Sequence, residues 1–430
     1  MKNSKLFQYI FIGAFIFFII VGVILFSTYR SANQSLENIS ITLWGTLPAD
    51  AFSSFVSKFF SESDLKYTVN YSEKNPTTFE AELVEALASG TGPDAVILPA
   101  DLIVHFSNKI YPIPYASLPE LTFKNTFIQE GELYLTTSGA LALPFSVDPL
   151  VMYWNRDIFN NAGVTKPPVT WSEILNLIPK MTRVDSQKNV LASTVALGEF
   201  RNVQNAKEIL SALIMQSGSP IVTVENGAFK STLKETYGLK NSPAYLALQY
   251  FTNFSNPVKA EYSWNRSLTN SQTAFTNGDL ALYFGLASEY LTLKNKNPNL
   301  NFGVALLPQI TGTRVYNTYG QILGFSILRT TPDPAGAYTI LGALTSAAAF
   351  PYWSNVFNVS SARRDILNVV DNSAVKTIFN QSAIISKGWL DPNKSATNAI
   401  FQSMVESFTT GRMTLDGAIN SASDQLDNLL

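Results

Sequence analysis

The sequence predicts an α/β fold with two lobes, preceded by one amino-terminal transmembrane helix. Patterns typical of strands and helices alternate from residue 39 onward, which indicates sheets covered by helices. The chain has 430 residues, more than one hydrophobic core usually holds, so we expect two cores. An apolar run at residues 6–26 has the length of a membrane span.

The apolar run at residues 6–26 is interrupted only by Gln8 and, as a helix, would span about 30 Å, the thickness of a bilayer's hydrocarbon core. Lys2 and Lys5 precede it, whereas only Arg30 follows closely, so the positive-inside rule places the amino terminus in the cytoplasm. A cleaved signal peptide is the alternative, but its apolar core would normally have about 7–15 residues. No Ala-x-Ala pattern follows the run. We therefore expect an uncleaved anchor in the cell membrane, with the main domain outside.

The composition excludes several classes of function. The chain has no cysteine and a single histidine, His105, so disulfides, thiolate metal sites and most Ser-His triads are excluded. The net charge is −2 with 14% charged residues, which gives no basic face for nucleic acid. We expect no metal and no cofactor. Aromatic residues make up 12% of the chain, and a pocket for a neutral polar ligand would use such rings.

The elements of the first lobe follow from local patterns. Alternating apolar residues predict strands, and apolar residues three and four positions apart predict amphipathic helices. The resulting order is a strand at 39–43, a helix at 52–60, a strand at 67–71, a helix at 79–87 and a buried strand at 95–98. Strands separated by helices pair in parallel through right-handed crossovers, so we expect an α/β lobe.

The later elements follow the same rules. Thr170 and Glu173 form the Thr-x-x-Glu pattern of a capping box, which predicts the start of a helix. Helical patterns recur at 205–216 and 243–254. A buried strand follows an Asn-Gly turn within residues 274–285.

One segment indicates a family. It is Leu143-Pro-Phe-Ser-Val-Asp-Pro-Leu-Val-Met-Tyr-Trp-Asn-Arg-Asp157, which resembles the signature stretch of the extracellular solute-binding proteins of ABC importers, in the sugar-binding branch that includes maltose-binding protein. Residues 274–285, 302–308 and 408–418 are similar to later segments of that family, in the same order. The resemblance covers nearly all of the chain after the apolar run.

The resemblance implies a periplasmic-binding-protein-like fold of type II, with a hinge and interleaved lobes. The first lobe would comprise residues 39–147 plus 322–362, and the second 148–321 plus 363–430. The chain would cross between them three times, near Ser146–Asp148, Asn317–Gln321 and Ser360–Arg364. Residues 1–38 would form a cytoplasmic tip, the anchor and a stalk.

Ligand-binding residues are expected at the carboxyl ends of strands and at the crossings, facing the cleft. Rings would stack on sugar faces, and planar polar groups would pair with neighbouring hydroxyls. The candidates are Trp44, Thr46, Asp101, Asp148, Trp264, Gln321, Arg363 and Trp389. For each ring the alternative is core packing, and for Asp148 it is a hinge hydrogen bond. Arg364 is an equal alternative to Arg363.

Three functions are compatible with these features. The first is a membrane-anchored receptor that captures a solute, expected to be a carbohydrate, by hinge closure and delivers it to an ABC permease without any chemistry. The second is a sensor domain that works with a membrane signalling partner. The third is a glycosidase that uses two carboxylates such as Asp101 and Asp148. We favour the first.

Overall fold

The computed structural model describes residues 39–225, 228–313, 315–357, 359–368 and 373–430. The predicted anchor at residues 6–26 lies outside these residues. Within the described part, no helix is both long and apolar enough to cross a bilayer.

Strands and helices alternate along the chain and fall into three groups. Those before residue 141 are β1 (Ser40–Gly45), α1 (Ala49–Glu62), β2 (Thr68–Glu73), α2 (Phe79–Ser89), β3 (Ala95–Pro99), α3 (Ala100–Phe106), α4 (Glu120–Thr126), a 3-10 helix (Gln129–Tyr134), β4 (Leu135–Thr136) and β5 (Gly139–Ala140).

The middle group begins with the longest strand. It contains β6 (Leu143–Asn155), α5 (Arg156–Asn161), α6 (Trp171–Met181), β7 (Arg183–Val184), β8 (Val190–Val195), α7 (Ala206–Gln216), β9 (Val222–Glu225), β10 (Ala228–Ser231), α8 (Pro243–Asn253), α9 (Ser271–Asn277), β11 (Leu280–Leu286), α10 (Glu289–Lys296) and β12 (Phe302–Ala305).

The last group runs to the final helix of the chain. Its members are β13 (Thr318–Ile327), α11 (Pro334–Leu344), α12 (Phe350–Phe357), β14 (Ser360–Ser361), α13 (Arg364–Leu367), α14 (Ala374–Ile384), β15 (Ser386–Lys387), α15 (Lys394–Thr409) and α16 (Leu415–Asp427).

The main sheet has the strand order β2-β1-β3-β13-β6-β11-β8-β7. β1 pairs in parallel with β2 and with β3, which confirms the predicted parallel crossovers. β13 runs antiparallel between β3 and β6, and β6 continues into antiparallel pairing with β11. β6 and β13 thus join the parallel half of β1, β2 and β3 to a mixed half, in which β11 pairs in parallel with β8 and β7 is antiparallel to β8.

Two hydrophobic cores lie on the two halves of this sheet. The first includes Leu43 and Val147, and the second includes Leu150 and Tyr153. Val147 and Leu150 lie on the same strand, β6, so the chain passes from one core to the other within three residues. The predicted two-lobed α/β fold is confirmed by this arrangement.

Local patterns explain why the elements form. In α1 the buried side chains are Phe52, Phe55, Val56, Phe59 and Phe60, a single apolar face at helical spacing. Burying each such ring stabilises the fold by about 1.5–3 kcal/mol.

The start of α6 has a similarly local cause. Thr170 accepts a hydrogen bond from the Glu173 amide, and Glu173 Oε2 accepts one from the Val169 amide at 2.8 Å. These bonds confirm the predicted capping box, shifted by one residue on the Glu173 side.

The third crossing differs from the prediction. Ala362 and Leu367 pack in the first core, as does Ala383, whereas Phe379 and Trp389 pack in the second. The segment after residue 362 therefore still contributes to the first lobe, because α13 and α14 cover that core. We propose a third crossing along α14 and β15, in place of Ser360–Arg364; the other two predicted boundaries stay predictions.

Candidate functional site

A cavity of about 700 Å³ lies between the two lobes. This volume is within the range of about 300–1,000 Å³ that is usual for small-molecule sites. Its walls come from both cores and from the two strands that join them. The polar and aromatic residues that line it include Thr46, Asp101, Glu130, Asp148, Lys207, Glu208, Tyr319, Gln321, Trp389, Asp391 and Lys394.

The first-lobe wall is built from strand ends. Thr46 follows β1 directly, and Asp101 lies in the first turn of α3, immediately after β3. Because β1 and β3 pair in parallel, their carboxyl ends meet at one edge of the sheet and bring these two side chains to the cavity.

The floor of the cavity is formed by the joining strands. Asp148 on β6 lies opposite Gln321 on β13 in the antiparallel register. Both residues line the cavity. Asp148 Oδ1 accepts a hydrogen bond from the backbone amide of Ser288 at 2.9 Å, which fixes its side chain against the second lobe.

Of the eight sequence-predicted ligand residues, five line this cavity: Thr46, Asp101, Asp148, Gln321 and Trp389. Three lie elsewhere. That the five residues in the cavity lining bind a ligand stays a prediction.

Trp264 is one of the three, and the prediction of a cleft-rim position was wrong. Its side chain is 1% exposed and belongs to the core of the second lobe. Its indole Nε1 donates to Asn202 Oδ1 at 3.1 Å. The ring is buried because the loop that contains it folds inward over β8, where Ser263 bonds to Ser193.

Trp44 and Arg363 are also not among the residues that line the cavity. The Nζ of Lys74 is 3.6 Å from the centre of the Trp44 ring, so this face is already covered by a cation. The guanidinium of Arg363 pairs with Asp365 at 2.9 Å. Arg364, the alternative, donates to the carbonyl of Phe127 at 2.6 Å, so both arginines brace the first lobe.

Trp389 is held in a fixed position in the second-lobe wall. Its Nε1 donates to Ser211 Oγ at 3.2 Å, and its ring stacks on Phe401 with centroids 6.1 Å apart. A ring whose edge is held by a hydrogen bond can offer a defined apolar surface to a ligand.

A buried ion pair lies beside that ring, and the sequence did not predict it. Lys207 Nζ is 2.7 Å from Asp391 Oδ2, and the two side chains are 1% and 6% exposed. Thr397 donates to Asp391 and accepts from Lys207. No sequence pattern indicated the pair: the structure buries α7 at every position, and a buried lysine then needs a charged partner.

Glu130 is a second residue that the sequence did not predict. It lies in the 3-10 helix and is 3% exposed. Burial raises the pKa of Glu130 to about 7, and the hydroxyl of Ser386 and the amide of Ile322 offset part of the rise. The short helix has no pattern that would indicate a buried acid.

Burial also raises the pKa of two further carboxyl groups at the cavity. The pKa of Asp148 rises to about 6, with the hydrogen bonds from Ser288 acting against this. The pKa of Asp101 also rises through burial, and the nearby Lys394 acts against it. In their ionised forms these carboxyl groups accept strong hydrogen bonds, and a donor on a ligand would favour those forms.

Comparison with known proteins adds the following. Residues 55–377 match a family model described as bacterial extracellular solute-binding protein. The sn-glycerol-3-phosphate-binding periplasmic protein UgpB of Escherichia coli is 21% identical over 337 residues, which cover 72% of this chain and 74% of UgpB.

Solved structures show the same fold. A cyclo/maltodextrin-binding protein complexed with maltotetraose aligns with a TM-score of 0.72 at 15% identity, over 92% of this chain and 98% of the other. An ABC transporter solute-binding protein from Thermotoga lettingae, bound with α-D-tagatose, aligns with a TM-score of 0.66 at 17% identity, over 91% and 99%. The family match spans most of the chain, and this chain therefore belongs to the bacterial extracellular solute-binding proteins.

Proposed function

We propose that this chain captures a carbohydrate in the cavity between its lobes and delivers it to an ABC permease. The observation that supports this most is the cavity of about 700 Å³, whose lining includes the ring of Trp389 and the polar groups of Asp148 and Gln321. A sugar has both an apolar face for a ring and hydroxyls for paired polar groups. Two proteins of the same fold are described with sugars bound, which favours this class.

Capture would follow from hinge closure. Only a few strands join the lobes, and a ligand that contacts both walls stabilises the closed state by the contacts it makes there alone. β6 and β13 join the two cores, so bending would occur near Asp148 and Gln321. No chemistry on the solute is part of this proposal.

The proposed anchor would keep the receptor at the cell surface. The apolar run at residues 6–26 supports it. Fractionation tests it: we expect the full chain to stay in the membrane pellet after alkaline extraction and to be released when residues 1–38 are deleted. Recovery of a soluble mature form that begins after Phe26 would contradict it.

A ligand screen tests the carbohydrate proposal. The full chain in mild detergent is heated with a panel of sugars, amino acids, peptides and metal salts, and a ligand of the folded state raises the melting temperature. We expect a sugar to give the largest shift. Binding of an amino acid, a peptide or a metal with all sugars inert would keep the fold and overturn the substrate class.

Calorimetry with that sugar then tests the cavity. Asp148→Ala should weaken binding by about 1.5–3 kcal/mol, since a ligand hydroxyl loses its charged partner. The matched control is Asp50→Ala, an exposed acid on α1 away from the cavity. Equal affinities of both variants and the parent protein would place the binding surface elsewhere.

Neighbouring permease genes would favour transport, and a neighbouring kinase gene would favour sensing.

A further inference from the structure

The charged groups around the cavity are unequal in number. Among the described residues that line it, six are aspartate or glutamate and two are lysine. An excess of one sign of charge at a site with low-dielectric walls favours ligands of the opposite sign. Whether this excess of negative charge acts on a ligand depends on which of these groups are already paired.

Neither lysine offers a free buried cation to an anionic ligand. Lys207 Nζ is occupied by Asp391 at 2.7 Å and by Thr397 at 3.1 Å. Lys394 is exposed at the start of α15, and its charge acts on Asp101 of the opposite wall. A phosphate in the cavity would therefore meet mostly acidic side chains, with the exposed Lys394 as the cation left to pair with it.

Two carboxyl groups, by contrast, have unused acceptors. Within the described part of the chain, the Asp101 Oδ1 and Glu130 Oε2 atoms are buried and have no hydrogen-bond partner, although Ser386 and Ile322 are near enough to the Glu130 carboxyl to act on its pKa. Both residues line the cavity, and Glu130 is 3% exposed. An unpaired buried acceptor is unfavourable, and a ligand donor that reaches it removes this cost.

The state of Glu130 agrees with a missing cationic partner, because no cation is among the groups that act on its pKa, whereas the charges of Lys394 and Lys207 already act on Asp101. Burial raises the pKa of Asp101 and raises that of Glu130 to about 7. A positive charge within hydrogen-bond distance would favour the ionised forms and lower both pKa values. A neutral hydroxyl would satisfy the acceptor without supplying this charge.

We propose that the cavity selects solutes with a protonated amine, of the amino-sugar class, through Asp101 and Glu130, and rejects phosphorylated ones. This inference rests on the proposed carbohydrate function and narrows it. The amine would lie against the first-lobe wall, with the sugar ring toward Trp389. UgpB, the relative named for binding sn-glycerol-3-phosphate, would differ from this chain in the charge of its ligand.

The test compares ligands that differ only in the amine. Titration calorimetry on the full chain near neutral pH uses glucosamine and its β-1,4-linked dimer, their N-acetylated counterparts, and glucose with cellobiose. Glycerol 3-phosphate and glucose 6-phosphate are the anionic probes. We expect the amines to bind at least tenfold more tightly than the acetylated and hydroxyl forms, and the phosphates not to bind.

Variants assign the effect to these carboxylates. Asp101→Asn keeps the side-chain shape and should remove most of the tenfold preference, and Glu130→Gln should reduce it; Asp50→Asn, exposed on α1, should keep it. Equal binding of amine and hydroxyl sugars, or binding of a phosphate, would overturn the inference and leave the carbohydrate function intact. If another solute class binds and no sugar does, both fail. The ligand comparison needs no variant, so it decides the inference even if Asp101→Asn does not fold.

Discussion

Lys207 and Asp391 form an ion pair of 2.7 Å inside the second lobe, although they are far apart in the sequence. The pair joins the start of α7 to the segment before α15, with Thr397 bonded to both members. Lys207 Nζ also lies 5.8 Å from the centre of the Trp389 ring. The pair thereby fixes the wall that holds this ring.

Lys207→Met should destabilise the protein strongly. It leaves the Asp391 carboxylate buried without its cation, which typically costs about 3–5 kcal/mol. Urea unfolding measures the loss. The control is Lys230→Met, which removes exposed pairs with Glu225 and Glu235, each at 3.5 Å, and should cost much less because exposed pairs add little stability. Similar losses in the two variants would show that the buried pair is not important for stability.

The sequence predicted those site residues that depend on local patterns. Thr46 and Asp101 follow buried strands, and the ends of parallel strands converge whatever the rest of the chain does. Asp148 and Gln321 lie at two of the predicted crossings, which the family's motif order indicates. These four positions needed only strand patterns and chain order.

The remaining positions depend on contacts between distant segments. Trp264 has polar neighbours in sequence, which predicted an exposed loop, but Asn202 and the second-lobe core enclose it. Glu130 and Lys207 are charged and would ordinarily be exposed. Their burial results from packing against residues far along the chain. Hydrophobic periodicity carries no information about such contacts.

Gly320→Ala should destabilise the hinge region. A Cβ at this position of β13 would lie 2.2 Å from Glu130 Oε2 and 2.8 Å from Ser386 Cβ. Such overpacking typically costs about 1–3 kcal/mol, measured by urea unfolding. Gly342→Ala in α11 is the matched control, because nothing lies within 4 Å of its added Cβ. In a helix that change should stabilise by about 0.5–1 kcal/mol. The same sign in both variants would mean that Glu130 moves aside freely.

Trp389→Leu should weaken sugar binding, whereas Trp264→Leu should not. Both indoles are nearly buried, at 4% and 1% exposed, so both variants should lose stability. Only Trp389 lines the cavity, and loss of its ring should reduce affinity about three- to tenfold. Calorimetry below the melting temperature of both variants separates the two effects. Equal affinity losses would indicate that the change acts through the fold.

Glu130 should make the protein less stable as the pH rises toward neutrality. Its pKa rises from 4.5 to about 7 on folding, because burial disfavours the carboxylate. Between these values the folded chain keeps a proton that the unfolded chain has lost, so the contribution of Glu130 to stability is greatest below pH 4.5 and is lost as the pH rises to about 7. The full loss is on the order of 3 kcal/mol. Asp148 acts in the same direction between 3.8 and about 6, so the parent protein alone does not isolate Glu130.

Glu130→Gln has no proton to lose. Its stability advantage over the parent should therefore grow across this window, as measured by urea unfolding at each pH. Parallel pH profiles for the two proteins would contradict the raised pKa.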